Sequence, residues 1–348
     1  MNSATSGLIA AVGAARVGPG DEVIVPPFTM SATAMAPLAY GGIPVFVDIE
    51  PDTFCLDPEL VAANITPRTK AIIAVNLFGH PAELQRLRAL ADRHGIVLIE
   101  DNAQSPFATE DGSYAGTIGH IGVFSLNHHK HIHTGEGGVC TTDDDDLALR
   151  LAMIRNHGEN AVEPAGVEDI TNLLGFNFRM TELSAALGVV QLTNCEQHVA
   201  PRQRLAASLT DAVSDLPGLT GPHVRSGCRH VFHVWSLRYD ERIVGVPRRI
   251  FSRALAAEGF PNAEGYQKPL YLLPVFARRV AIGSGGFPFT LSQRRYERGS
   301  CPVTERMHYS ELLSFPNCMY DVSERQAKQL AAAIRRVYHA RASLMVHA

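Results

Sequence analysis

The stretch Phe124-Ser125-Leu126-Asn127-His128-His129-Lys130-His131-Ile132-His133-Thr134-Gly135-Glu136-Gly137-Gly138 decides how this chain is read. A serine and a lysine five positions apart are followed by a glycine cluster and an apolar run. That order suits a site where a hydroxyl holds a phosphate and an amine makes a covalent bond. Lysine is a weak nucleophile while protonated, so a Schiff-base lysine needs surroundings that disfavour its ammonium and an aldehyde within reach. Lys130 is the candidate for that task.

Pyridoxal 5'-phosphate supplies such an aldehyde and requires two further groups, a carboxylate at its ring nitrogen and a phosphate cradle. Upstream, Ile96-Val97-Leu98-Ile99-Glu100-Asp101-Asn102-Ala103-Gln104 has the pattern of a buried strand ending in acids. Ligands of open α/β sheets bind just beyond such carboxyl ends. Asp101 is therefore the candidate partner of the pyridinium, with a helix N-cap as the alternative for the same position.

Four blocks in this order resemble the DegT/DnrJ/StrS family: Ser3-Ala4-Thr5-Ser6-Gly7 ahead of Gly18-Pro19-Gly20-Asp21-Glu22-Val23, then Glu100 to Gln104, then Ser125 to Gly138, then Gly175-Phe176-Asn177-Phe178-Arg179-Met180. The family comprises fold-type I pyridoxal-phosphate enzymes that mostly aminate keto sugars carried on nucleotides. The resemblance implies a mostly parallel central sheet sandwiched by helices and a smaller C-terminal α+β domain. It implies a homodimer with shared active sites, a keto-sugar acceptor, and glutamate or glutamine as amino donor. It places Thr5, Ser6 and Ser125 on the cofactor phosphate, Asp101 at the ring nitrogen, Gln104 on the phenolic oxygen and Lys130 on the aldehyde. Met30 stands where the family commonly stacks an aromatic ring, with Phe28 as fallback and plain core packing as the alternative for both. Asn177 is expected to reach a neighbouring subunit's phosphate, or else to cap the helix that begins near Thr181.

The chain departs from the family pattern in three ways. Ala4 replaces a glycine, and Ser6 and Gly7 stand where alanines are usual. Several dozen residues that normally precede the phosphate block are missing, so either coding sequence continues upstream of Met1 or the chain is truncated. Two rivals to transamination follow, a sugar dehydratase and a non-catalytic or regulatory paralogue. Dehydratase members carry histidine in place of the lysine, whereas the step from Ser125 here lands on Lys130.

Composition narrows the field further. The 348 residues, 46% hydrophobic, suffice for a large core and two unequal domains. A net charge of −4 without a long basic stripe argues against nucleic acid. The six cysteines show no paired spacing, which favours free thiols in a reducing compartment. No apolar stretch is long enough for a bilayer, and the start of the chain lacks the positive charge of a signal peptide. The expected location is cytoplasmic.

Alternating segments complete the α/β reading. Residues 3–15 should be a helix whose N-terminus suits a phosphate. Strands are expected at 22–25, 45–48, 71–75, 122–124 and 137–142, and helices at 57–63, 82–94 and 147–155, the last capped by the Asp143–Asp146 run. The domain boundary is placed near the Pro217–Pro222 joint, giving a large domain 1–220 and a small one 221–348. The small one should hold a strand over 230–239 and helices at 248–258 and 323–337. Tyr266 to Tyr271 occupies the place of a family segment lining the sugar pocket, and Gly283 to Gly286 is expected to be a loop. His129, His131 and His133 would share a face if extended, but no cysteine or carboxylate stands nearby at ligand spacing, so no metal site is expected.

Overall fold

The computed structural model describes residues 1–319 and 321–345. Strands β1 (Glu22–Val25), β2 (Ile43–Phe46), β3 (Thr69–Val75), β4 (Val97–Asp101), β5 (Ile121–Ser125) and β6 (Gly138–Thr141) form a sheet in the order β2-β1-β3-β4-β5-β6. All neighbours are parallel except the β5–β6 pair, which is antiparallel. Their near-continuous apolar runs fit a sheet covered on both faces, as a parallel sheet with helical crossovers must be. The crossovers are made by α2 (Ala32–Leu38), α3 (Pro58–Asn64) and α4 (Leu84–His94), while α1 (Ala4–Ala14) precedes the first strand. Asp144 caps α5 (Asp145–Arg155) by accepting from the Leu147 N–H, the task foreseen for the acidic run.

Helix α1 lies directly on the end of the sheet. A Cβ on Gly7 would stand 2.8 Å from Val123 Cγ1, and one on Gly138 would stand 2.5 Å from the Ser3 carbonyl carbon. Bare glycine at these two positions lets the helix start touch β5 and β6, which explains Gly7 where the family has alanine.

A second sheet is antiparallel: β7 (Leu219–Thr220), β8 (Trp235–Tyr239), β9 (Ala263–Glu264) and β10 (Leu312–Phe315), in the order β9-β10-β8-β7. Between the sheets run α6 (Glu182–Thr193) and α7 (Cys195–Asp211); α8 (Arg248–Ala257) and α9 (Glu324–His339) complete the small unit. Leu205 and Leu209 of α7 share one core with Trp235, Phe251, Phe315 and Ile334, so this unit draws in chain that precedes residue 220. After β9 the chain returns to the large sheet. Tyr271, Phe276, Phe289 and Tyr296 pack into the core beneath α1 and β1, and the Arg294 guanidinium pairs with the buried Glu22 carboxylate.

The strand foreseen over 230–239 is shorter than expected. The Val231 and Val234 N–H groups donate to the Gly79 and Phe78 carbonyls, so this segment braces a turn of the large unit and only Trp235–Tyr239 joins the sheet. Among the described residues no helix is long and apolar enough to cross a membrane.

Candidate active site

Strands β4 and β5 run side by side with Asp101 level with Val123, so Asp101 and Ser125 finish at the same carboxyl edge of the sheet. No helix follows Asp101. Its Oδ1 accepts from the Ala103 N–H at 3.3 Å and its Oδ2 from the Thr33 hydroxyl at 2.8 Å. The capping alternative is thereby excluded. The carboxyl is fully enclosed; burial pushes its pKa up, while Thr33, Ala103 and the nearby Lys130 charge pull it down. The neighbouring Glu100 points to the other face, where it accepts from the Gly116, Ile118 and Gly119 N–H groups and ties down that loop.

Beyond Ser125 the chain closes a tight loop. The Leu126 N–H donates to the Gly137 carbonyl and the Thr134 N–H to the Leu126 carbonyl, both at 2.9 Å. The Lys130 N–H donates to the Asn127 carbonyl, which turns the side chain inward. Lys130 is only 7% exposed, and its amine makes no hydrogen bond among the described residues. Burial depresses the lysine's pKa, opposed by the charges of Asp101 and Cys318. An amine whose charged form burial disfavours, close enough to a carboxylate to feel its charge, suits a carbonyl-trapping lysine.

The start of α1 closes the same edge. Ser3 caps the helix by accepting from the Ser6 N–H at 3.1 Å, and the Ser6 hydroxyl donates to Asn2 Oδ1 at 2.6 Å. Ser6 is buried and Thr5 exposed. With the Ser125 hydroxyl at the end of the adjoining β5, they provide hydroxyls beside a helix N-terminus, a combination suited to an anion.

Gln104 is buried, with Oε1 accepting from the Phe78 N–H at 2.8 Å and Nε2 donating to the Tyr266 hydroxyl at 2.9 Å. A second Nε2 proton remains for another acceptor. Burial pushes the Tyr266 phenol up to about 12, so it keeps its own proton to donate. Thr33 and Tyr266 were not singled out for these contacts from sequence; a threonine beyond the turn that follows β1 and a tyrosine in a pocket segment carry no spacing signal toward Asp101 or Gln104. Met30 is 47% exposed at the head of α2, whereas Phe28 is buried against Phe54, Phe78 and Tyr266. Asn177 is exposed and bridges Asn156 through the backbone. The cap of α6 is Thr181, whose hydroxyl accepts from the Ser184 N–H at 3.2 Å, so Asn177 does not serve there.

The profile of the DegT/DnrJ/EryC1/StrS aminotransferase family matches residues 1–335. The chain belongs to this family. It is similar to the L-glutamine:2-deoxy-scyllo-inosose aminotransferase of Streptoalloteichus tenebrarius, with 36% identity covering 94% of this chain and 81% of that protein. The UDP-N-acetyl-3-dehydro-alpha-D-glucosamine 3-aminotransferase of Acidithiobacillus ferrooxidans is 34% identical, covering 97% of this chain and 83% of its own length. Among solved structures, the aminotransferase from Psychrobacter cryohalolentis superposes with a TM-score of 0.84 at 29% identity, over 97% of this chain and 86% of that one.

The fold is that of the fold-type I aminotransferases, and the enzyme is an aminotransferase of the pyridoxal-phosphate-dependent class. The residues present fit that cofactor: a buried amine that makes no hydrogen bond among the described residues, a buried carboxylate whose charge acts on it, and hydroxyls at a helix N-terminus.

Proposed function

We propose that this aminotransferase moves an amino group from glutamate or glutamine to the ketone of a nucleotide-linked sugar, for a surface polysaccharide or a glycosylated metabolite. The observation that carries the reading is Lys130, buried with its ammonium disfavoured and facing the enclosed Asp101. The names of the relatives support the substrate class, since one acts on a cyclitol ketone with glutamine and another on a UDP-linked keto sugar.

Pyridoxal phosphate, when bound, supplies an aldehyde and an electron-accepting ring. Lys130 would be the residue that holds the cofactor's aldehyde end, and its amine would serve as the base and acid that takes and returns the proton at the substrate carbon. Asp101 would hold a proton on the ring nitrogen, with the Thr33 hydroxyl and the Ala103 N–H favouring its charged form against the effect of burial. Gln104, with one Nε2 proton free, would hold the phenolic oxygen, and Met30 would cover the ring. Thr5, Ser6 and Ser125 bind the phosphate.

Asn177 of a second copy completes that phosphate site. Helix α6, which begins just after Asn177, supports the dimer: it buries none of its residues, and Leu183 is 85% exposed. An apolar helix left bare marks an interaction face. We place the enzyme in the cytoplasm, in accord with its free cysteines.

Purified protein loaded with pyridoxal phosphate should show a visible absorption band that Lys130→Ala abolishes, and should be converted by glutamate or glutamine to a form lacking that band. A protein that ignores the cofactor, or a band that survives Lys130→Ala, overturns the reading.

A further inference from the structure

Behind Lys130, three side chains from distant parts of the chain meet in the interior. His131 follows the lysine, His233 precedes β8, and Cys318 follows β10. A ring nitrogen of each imidazole and the Cys318 sulfur all lie within 4.8 Å of one another, and all three side chains are buried. The two rings stand 5.7 Å apart between centroids. Among the described residues, Nδ1 of His131 and Nδ1 of His233 are both shut off from solvent without a hydrogen-bond partner.

The supporting contacts set the tautomer and the spacing. Nε2 of His131 lies 2.8 Å from the Val231 carbonyl oxygen. A carbonyl only accepts, so Nε2 carries the proton and Nδ1 presents its lone pair. Metal-binding histidines characteristically donate their second ring N–H in this way. The Cys318 N–H donates to the His233 carbonyl at 3.2 Å, which locks two of the three residues together through the backbone.

We infer that His131, His233 and Cys318 form a binding site for a single thiophilic divalent cation, zinc first among them, with a fourth position left for water or another ligand. Two imidazoles and a thiolate are a donor set zinc accepts, at about 2.0 Å to nitrogen and about 2.3 Å to sulfur. Two imidazoles on one tetrahedral zinc have centroids roughly 5 Å apart and donor atoms roughly 3.5 Å apart, so donor separations of up to 4.8 Å need to close by at most about 1.3 Å, shared between the side chains.

Two cations face the sulfur, Lys130 and Arg202. They oppose a bare dication but favour the thiolate, and the Arg202 guanidinium remains as a hydrogen-bond donor to the metal-bound sulfur. Binding replaces the thiol proton: M(II) plus Cys–SH gives M–S–Cys with a net charge of one plus and one proton released. The alternating His129, His131 and His133 do not assemble as a ligand set; only His131 joins, with partners that chain spacing cannot reveal.

The test uses the full chain, stripped of metal and kept reduced, titrated with Co(II) and then Zn(II) without pyridoxal phosphate. The expected result is a near-ultraviolet thiolate-to-cobalt band that saturates at one equivalent, is accompanied by release of one proton, and is removed by zinc. Cys318→Ser should abolish the band, while Cys228→Ser, a control outside the proposed ligand set, should leave it intact. Zinc affinity should fall at least about a hundredfold in Cys318→Ser. Should that variant fail to fold, His233→Gln is read in its place, with the same loss of affinity expected. No thiolate band in the wild type, or a band and affinity unchanged in the variant, overturns the assignment. Because the readout needs neither cofactor nor turnover, its failure leaves the proposed transamination standing.

Discussion

Replacing Thr33 with valine keeps the shape of a buried side chain and removes one hydrogen bond, the 2.8 Å contact from the Thr33 hydroxyl to Asp101 Oδ2. A hydrogen bond to an ionised group contributes about 1.5–3 kcal/mol. Expressed fully in the transition state, at about 1.4 kcal/mol per factor of ten, this sets a loss of roughly 10- to 150-fold in the donor half-reaction. The direction follows from the balance at Asp101. Burial already raises this carboxyl, and Thr33 is the strongest group opposing that rise. Its removal therefore favours the protonated acid, and the acidic limb of the pH–rate profile should move to higher pH. The assay is single-turnover conversion of loaded enzyme by glutamate or glutamine, followed by absorbance across a pH series, with cofactor affinity measured alongside. Thr33→Ser restores the hydroxyl and should recover most of the rate. A valine variant with wild-type rate and profile, or a serine variant no better than valine, refutes the assignment of Thr33 as the residue that keeps Asp101 charged.

Two other variants test the site and the assembly. The folded-state pKa of Lys130 lies below its ordinary 10.5, so within the window beneath 10.5 the unfolded chain binds more protons and stability rises with pH. Lys130→Met should therefore stabilise the cofactor-free protein at neutral pH, with an advantage that shrinks as pH approaches 10.5; denaturant unfolding between pH 7 and pH 10 measures it, and a constant difference would contradict the sign. Leu183→Asp combined with Val190→Asp on α6 should convert a dimer to a monomer in analytical ultracentrifugation and, because Asn177 is then lost from the neighbouring site, weaken cofactor binding. An unchanged sedimentation coefficient would show that the helix is not the interface.

Much of the site was legible because its chemistry sits in short contiguous blocks. Asp101 ends one strand and Ser125 the next, so a strand-end rule marked Asp101 and the Ser125–Lys130 spacing marked the lysine, while Gln104 was read from the family resemblance alone. The large sheet was legible for a related reason, since strands buried on both faces leave near-continuous apolar runs such as Ile72 to Val75. What escaped depends on partners that come together only in the fold. Thr33 meets Asp101, and Tyr266 meets Gln104, through side chains far apart in sequence. The apolar run His230 to Val234 has the composition of a strand, yet its N–H groups serve the Phe78–Gly79 turn. Similarly, proline and glycine at 217–222 signal a joint in the chain, while the packing of Leu205 and Leu209 groups α7 with the small sheet.

The return of the chain from the small sheet to the large one bears on how the molecule behaves when cut. Tyr271, Phe276 and Tyr296 fill the floor under α1 and β1, and the Tyr296 hydroxyl donates to the Pro44 carbonyl at 2.9 Å. A single nick between Asp211 and Leu219 would thus give no self-sufficient halves. The leading fragment would lack the aromatic side chains that close its own interior, and the trailing fragment would carry them exposed and would lack α7. The two units share their chain as interlocked parts, so their relative movement is confined to what both crossings allow.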